Sequence, residues 1–209
     1  MPTLTAHVAH AQDWLRRHPD TDEAAFIRGT VFPDIRYLGV IKRALSHTSG
    51  LTLADVAAAP TAWEAGRRFH CWLDDAWATQ VATPELQPGD SARRLTWIAV
   101  KLVYEEPLEA AVYDRASLAA MLLGATDEVP LVEWQVKAAE VQHWQKLVAE
   151  LLAGTPGIKT QVEFFKALKF DDVVISRIEE LAAEIRATPA WTQRLEQVRW
   201  WVTSEIERA

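Results

Sequence analysis

Residues 61–81 read TAWEAGRRFHCWLDDAWATQV. Trp63, Gly66, Phe69, His70, Leu73, Trp77 and Val81 recur at the spacing of one helical face. Thr61, directly after Pro60, supplies an N-cap. The stretch therefore predicts a long amphipathic helix over Ala62–Val81. Its inward stripe carries an imidazole and a carboxylate, His70 and Asp74, four residues apart and pointing the same way.

The same helical period continues on both sides, and period-two alternation is nearly absent. Thr5 can cap a helix to about Arg17 whose apolar stripe is Val8, Ala11, Trp14 and Leu15. His7 and His10 lie on or near that stripe. Asp20 with Glu23 looks like a capping box for a short helix, Thr21–Arg28, ended by Gly29. Thr30–Leu38, with Pro33, reads as a rigid extended turn, and Asp34 as a cap for a helix from Ile35 to His47. Leu53–Ala59 is a further short helix.

Beyond the loop Thr83–Asp90, helices are expected over Ser91–Tyr104, Leu108–Leu123, Pro130–Leu152, Thr160–Leu168, Asp171–Ala187 and Trp191–Glu207. Loop signals at Glu106-Pro107, Thr126–Glu128, Gly154–Gly157 and Thr188-Pro189 separate them. The fold expected is all-α: one compact domain spanning 1–209 with about seven to nine helices. Gly154–Gly157 is the most plausible boundary if residues 158–209 form a C-terminal helical lobe.

Composition narrows the function classes. A net charge of −7 argues against binding duplex nucleic acid through bulk electrostatics, since such surfaces carry a basic excess. No apolar run approaches the length of a membrane span. A single cysteine, Cys71, and no signal-like N-terminus point to a reducing, cytoplasmic setting. Ten tryptophans are best read as filling space between helices; Trp200 and Trp201 cannot both face the same way. No glycine-rich phosphate loop and no G-x-S-x-G elbow occurs.

The chemistry concentrates in Phe26–Asp75, where Asp34, His47, His70 and Asp74 fall within about forty residues, with His7 and His10 upstream. Imidazole plus carboxylate suits zinc, iron or manganese better than calcium. A metal also resolves the cost of burying several ionisable groups on apolar stripes. The competing structural account has Asp34 capping a helix, His47 bonded to a carbonyl, and Asp74 paired with Arg67 or Arg68. Arg36 and Arg43 are candidates for holding a phosphate or, equally simply, members of ordinary ion pairs.

The order of an N-terminal helix histidine, GTVFPDIRYL (29–38), ALSHT (44–48) and GRRFHCWLDDAW (66–77) resembles the zinc-dependent phospholipase C-like proteins. That all-α family also includes single-strand-specific nucleases. The resemblance covers about residues 4–80, and beyond it the chain matches only as further helices. It implies one zinc held by Asp34, His47, His70 and Asp74, with Asp74 bridging to a second zinc held also by His7 or, less favourably, His10. It further implies that Asp34 is ligand and general base, and that the substrate is a small phosphoester hydrolysed by metal-activated water.

The sequence departs from three-zinc members of that family. Gln80 stands ten residues after His70, and His143 is followed at the fourth position by Leu147. Glu140-x-x-His143 is a weak substitute. A centre of one or two metals is therefore expected, zinc first, with iron or manganese as alternatives. Two other readings are carried forward: a non-catalytic helical metal-binding or interaction protein, and oxidative chemistry at iron.

Overall fold

Thr61 accepts a hydrogen bond from the backbone N–H of Glu64 at 3.1 Å and opens a helix over Ala62–Val81, with the boundaries its sequence predicts. A computed structural model describes residues 3–82, 93–124 and 128–209, and no strand occurs among them. We number the helices α1 (Leu4–Arg17), α2 (Glu23–Val31), α3 (Arg43–Ser46), α4 (Leu53–Ala57), α5 (Ala62–Val81) and α6 (Arg93–Glu109). They continue with α7 (Arg115–Leu123), α8 (Glu128–Glu133), α9 (Ala138–Ala153), α10 (Ile158–Ala167), α11 (Asp172–Arg186) and α12 (Pro189–Arg208). A 3-10 helix, Phe32–Leu38, follows α2 directly.

Among the described residues twelve α-helical segments replace the seven to nine expected, because several predicted helices are broken by backbone the pattern does not reveal. Ile35–His47 is not one helix. Gly39 adopts a left-handed φ of +75°, Lys42 is extended, and only Arg43–Ser46 returns to a helical turn. The Pro33 segment is helical rather than extended, because proline's fixed φ is compatible with the first helical position. Conversely, α6 runs through Pro107, and Pro130–Leu152 splits at Gln135, whose φ is +55°. The helix N-caps near the start are Thr3 and Asp22 rather than Thr5 and Asp20. The loop signal at Thr83–Asp90, the expected helix start at Ser91 and the Thr126 signal lie outside the described residues.

One hydrophobic core runs from Leu4 to Ile206, on both sides of Gly154–Gly157. Within it α11 packs on α6, and α12 packs on α5 and α1. Trp14, Trp77 and Trp144 are fully buried between helices, whereas Trp200 is 71 % exposed beside a half-buried Trp201. No helix among the described residues is long and apolar enough to cross a membrane.

The most extensive pairing is α2 against α5, and glycine makes it. A Cβ on Gly66 would sit 2.0 Å from the carbonyl oxygen of Phe26, and one on Gly29 would sit 2.0 Å from that of Trp63. The two helices therefore touch backbone to backbone. Gly29 does not end α2, as its sequence position suggests; it lies inside the helix because the crossing requires it there.

Farther along, a buried polar cluster links α6 to α10. Gln161 Nε2 donates to Glu105 Oε1 at 3.0 Å and to Glu109 Oε1 at 3.1 Å. Burial pushes the Glu105 carboxyl up to about 8, with the neighbouring Glu109 charge adding to it and bonds from Thr5 and Gln161 opposing it.

Two outcomes follow from these contacts. Gly66→Ala must force α2 from α5 and should cost about 2 kcal/mol or more, read by chemical denaturation; an unchanged midpoint would show the crossing to be compliant. Glu105 binds its proton more tightly folded than at its ordinary value of 4.5. Its contribution is thus fully present below that value and is lost as pH rises through about 8. Urea midpoints of the wild type should fall across that window, and Glu105→Gln should flatten the decline. Parallel curves for the two proteins would refute the assignment.

Candidate metal centre

Five side chains converge from separate elements: His7 on α1, Asp34 in the 3-10 helix, His47 at the C-cap of α3, and His70 and Asp74 on α5. Ligand-type atoms of His7, His70 and Asp74 lie within 4.8 Å of one another, as do those of Asp34, His47 and His70. His70 belongs to both groups, so the two form one continuous centre with the geometry to hold a metal ion. His7 and His70 are wholly buried, and Asp74 and Asp34 almost so.

The protonation pattern follows from the partners. His70 Nδ1 lies 2.8 Å from the carbonyl of Thr30, and His7 Nδ1 lies 2.8 Å from that of Thr3. A carbonyl only accepts, so each Nδ1 carries the proton and each neutral ring presents a bare lone pair at Nε2. Ser46 Oγ lies 2.8 Å from His47 Nδ1 and can pass its own proton to the Arg43 carbonyl, leaving His47 Nε2 bare as well. Burial, then the neighbouring His7, holds His70 well below the usual histidine range, against the pull of Asp74.

The lone pairs then meet one another. His7 Nε2 faces Asp74 Oδ1 at 3.3 Å, and His70 Nε2 faces His47 Nε2 at 3.3 Å. His47 Nε2 also lies 3.3 Å from Asp74 Oδ2. These are contacts of acceptor on acceptor, and both His7 Nε2 and Asp74 Oδ1 are buried without a hydrogen-bond partner among the described residues. Each such atom costs roughly 1–3 kcal/mol unless something positive lies between them. The donor set, three imidazoles and two carboxylates, fits a borderline divalent cation. The His7 and His70 rings stack at 4.0 Å, while His47 meets His70 edge-on, so His70 is the ring shared by both groups.

Asp74 is ionised. Burial works to raise its carboxyl, but the attraction of His70 and the close His47 and His7 rings outweigh that and hold it well below the ordinary range. Its cationic partner is Arg43, at 3.2 Å, not Arg67 or Arg68, which both reach Glu64 instead. Arg36 stands 3.1 Å from Asp34. Both arginines nominated for phosphate therefore lie against the two carboxylates. Asp34 caps no helix, and His47 bonds a serine hydroxyl rather than a carbonyl.

Other candidates fall away from the centre. His10 Nε2 is bonded to Tyr104 Oη at 2.9 Å and its Nδ1 faces Asp13. His143 is exposed, and Glu140 accepts from the Lys137 backbone at 3.0 Å. Cys71 is buried, and its thiol is pushed up to about 11 by that burial, so it is no nucleophile at neutral pH.

Sequence reading missed what adjoins the centre. A cavity of about 430 Å³ is lined by Asp34 and Arg36 together with side chains of α6 and α10. Lys101, on α6, belongs to that lining. It sits 67 positions beyond Asp34 inside an ordinary helical stripe, and only the packing of α6 on α1 brings it here. Comparisons with protein-family models, curated proteins and solved structures find no match, so the functional reading rests on these side chains.

Proposed function

We propose that the chain is a metal-dependent hydrolase of phosphoesters, with zinc at the His7, Asp34, His47, His70 and Asp74 centre. The observation that carries the reading is the convergence of buried imidazole and carboxylate lone pairs with no proton between them. A divalent metal bound there would polarise a phosphoryl oxygen and acidify a water molecule. His7, His47 and His70 hold their lone pairs ready because backbone carbonyls and a serine fix their tautomers.

Charge supports an anionic substrate. The two carboxylates are offset by Arg36 and Arg43, so a divalent cation leaves the centre net positive. Asp34 also lines the cavity, which places its carboxylate where a substrate and an attacking water can meet. It is the residue suited to accept the water's proton, and Arg36 stands beside it at 3.1 Å. A second reading, a non-catalytic metal-binding protein, draws on the complete burial of His7 and His70, which is typical of a closed structural site.

Protein purified without a histidine tag should carry at least one zinc per chain by elemental analysis. His70→Ala should weaken retention by about 100-fold or more, since even indirect ligand supports cost 10–100-fold. Hydrolysis of p-nitrophenyl phosphate or its bis-ester, lost with chelator and restored by zinc, would select the enzyme. Stoichiometric metal without turnover in that screen would select the second reading. Metal-free protein, or unchanged metal in His70→Ala, would end both.

A further inference from the structure

The cavity beside Asp34 is lined by two unlike sets of side chains: the cationic Arg36, Arg94 and Lys101, and the aromatic Trp97, Phe164, Phe165 and Phe170. The aromatic set comes from α6, α10 and the turn after α10, with the Phe165 and Phe170 rings 5.4 Å apart. All four rings are partly exposed rather than sealed in the core. They pack against the core, and their accessible faces line a concavity of the size a small molecule needs.

Lys101 is the informative residue. It is largely withdrawn from solvent, yet it makes no hydrogen bond or ion pair among the described residues. The charges that face it are Asp34 and Asp74, with Arg36 and Arg43. Those two carboxylates already have guanidinium partners at 3.1 and 3.2 Å. A half-buried ammonium without its own anion costs free energy that the fold does not recover. The site is completed by an anion entering the cavity between Lys101 and the centre.

We propose that this cavity binds a small aryl phosphate, its anionic end on Lys101 beside the metal centre and its ring among Trp97, Phe164, Phe165 and Phe170. The phosphate identity rests on the phosphoesterase reading above; the combination of one anion with one aryl body rests on the cavity alone. The volume suits a single compact molecule. Lys101 acts as a fixed positive contact for the bound anion.

Phenylphosphonate, which cannot be hydrolysed at its P–C bond, is the probe, titrated calorimetrically into zinc-loaded full-length protein beside inorganic phosphate and phenol. Phenylphosphonate should bind at least about tenfold more tightly than either, since both sets of side chains contribute. Lys101→Met should weaken phenylphosphonate and phosphate by about tenfold or more while leaving zinc content unchanged. It should also unfold at the same or a higher temperature, because an unpartnered charge has gone; a lysine kept for structure would lower it. Phe164→Leu with Phe165→Leu should remove the aryl advantage and leave phosphate binding intact.

Equal affinity for phenylphosphonate and phosphate in the wild type would overturn the proposal without any variant, as would Lys101→Met binding both like the wild type. If Lys101→Met does not fold, Lys101→Gln is read in its place. The two hypotheses separate cleanly: metal content and turnover judge the hydrolase, whereas affinity for a non-hydrolysable probe judges the cavity.

Discussion

The centre depends on two helices meeting without side chains between them. Gly29 and Gly66 let α2 and α5 approach until each backbone fills the space a Cβ would occupy on the other. Thr30 follows Gly29, and His70 lies one turn beyond Gly66, so the same crossing brings the Thr30 carbonyl to His70 Nδ1. That carbonyl belongs to the last turn of α2 and has no partner within its helix. The next one, Val31, is taken by the Trp144 indole at 2.9 Å. A helix end that needs donors and an imidazole that needs its tautomer fixed thus satisfy one another. Widening the crossing by the width of a methyl group would disturb both.

Electrostatics explains why the site is assembled from opposed charges rather than from ligands alone. Two carboxylates buried side by side would repel and take up protons. Arg43 at Asp74 and Arg36 at Asp34 offset that repulsion, and both reach the centre from the short stretch between α2 and α4. Burial, then the neighbouring His7, disfavours a positive ring at His70. Ionised carboxylate and neutral imidazole are the states in which each residue can donate a lone pair to a metal. The fold therefore prepares the ligand states as well as the ligand positions.

Much of this was legible in the chain, for identifiable reasons. The Thr61 cap and the Trp63-to-Val81 stripe are local signals strong enough to set α5 correctly at both ends. His70 and Asp74 inherit their common direction from that helix. His7, Asp34 and His47 could be nominated by residue type and order, and the structure brings all three to the centre. What could not be read depends on distant partners. Gly29 looks like a helix stop until Trp63 is seen against it. Arg67 and Arg68 look like partners for Asp74 until Glu64, one turn earlier, is seen to take both. The break at Gly39 and Lys42 hides inside an apolar pattern that would suit a continuous helix. Lys101 and the phenylalanines of α10 carry no local mark of function at all.

The five ligands are not equivalent, and their difference in access assigns their roles. His7, His70 and Asp74 lie at the bottom of the centre, closed over by α1 and α5. Asp34 is nearly as buried by area, yet it alone of the five also lines the cavity. A residue whose carboxylate faces both the imidazole cluster and the open volume is the one placed to exchange a proton with something bound there. On the proposed hydrolase reading, the inner three would hold charge in place, and the cavity lined also by Arg36 and Lys101 would receive the substrate. That division matches the needs of a hydrolytic centre, where a rigid anchor and an accessible reacting face must coexist within a few ångströms.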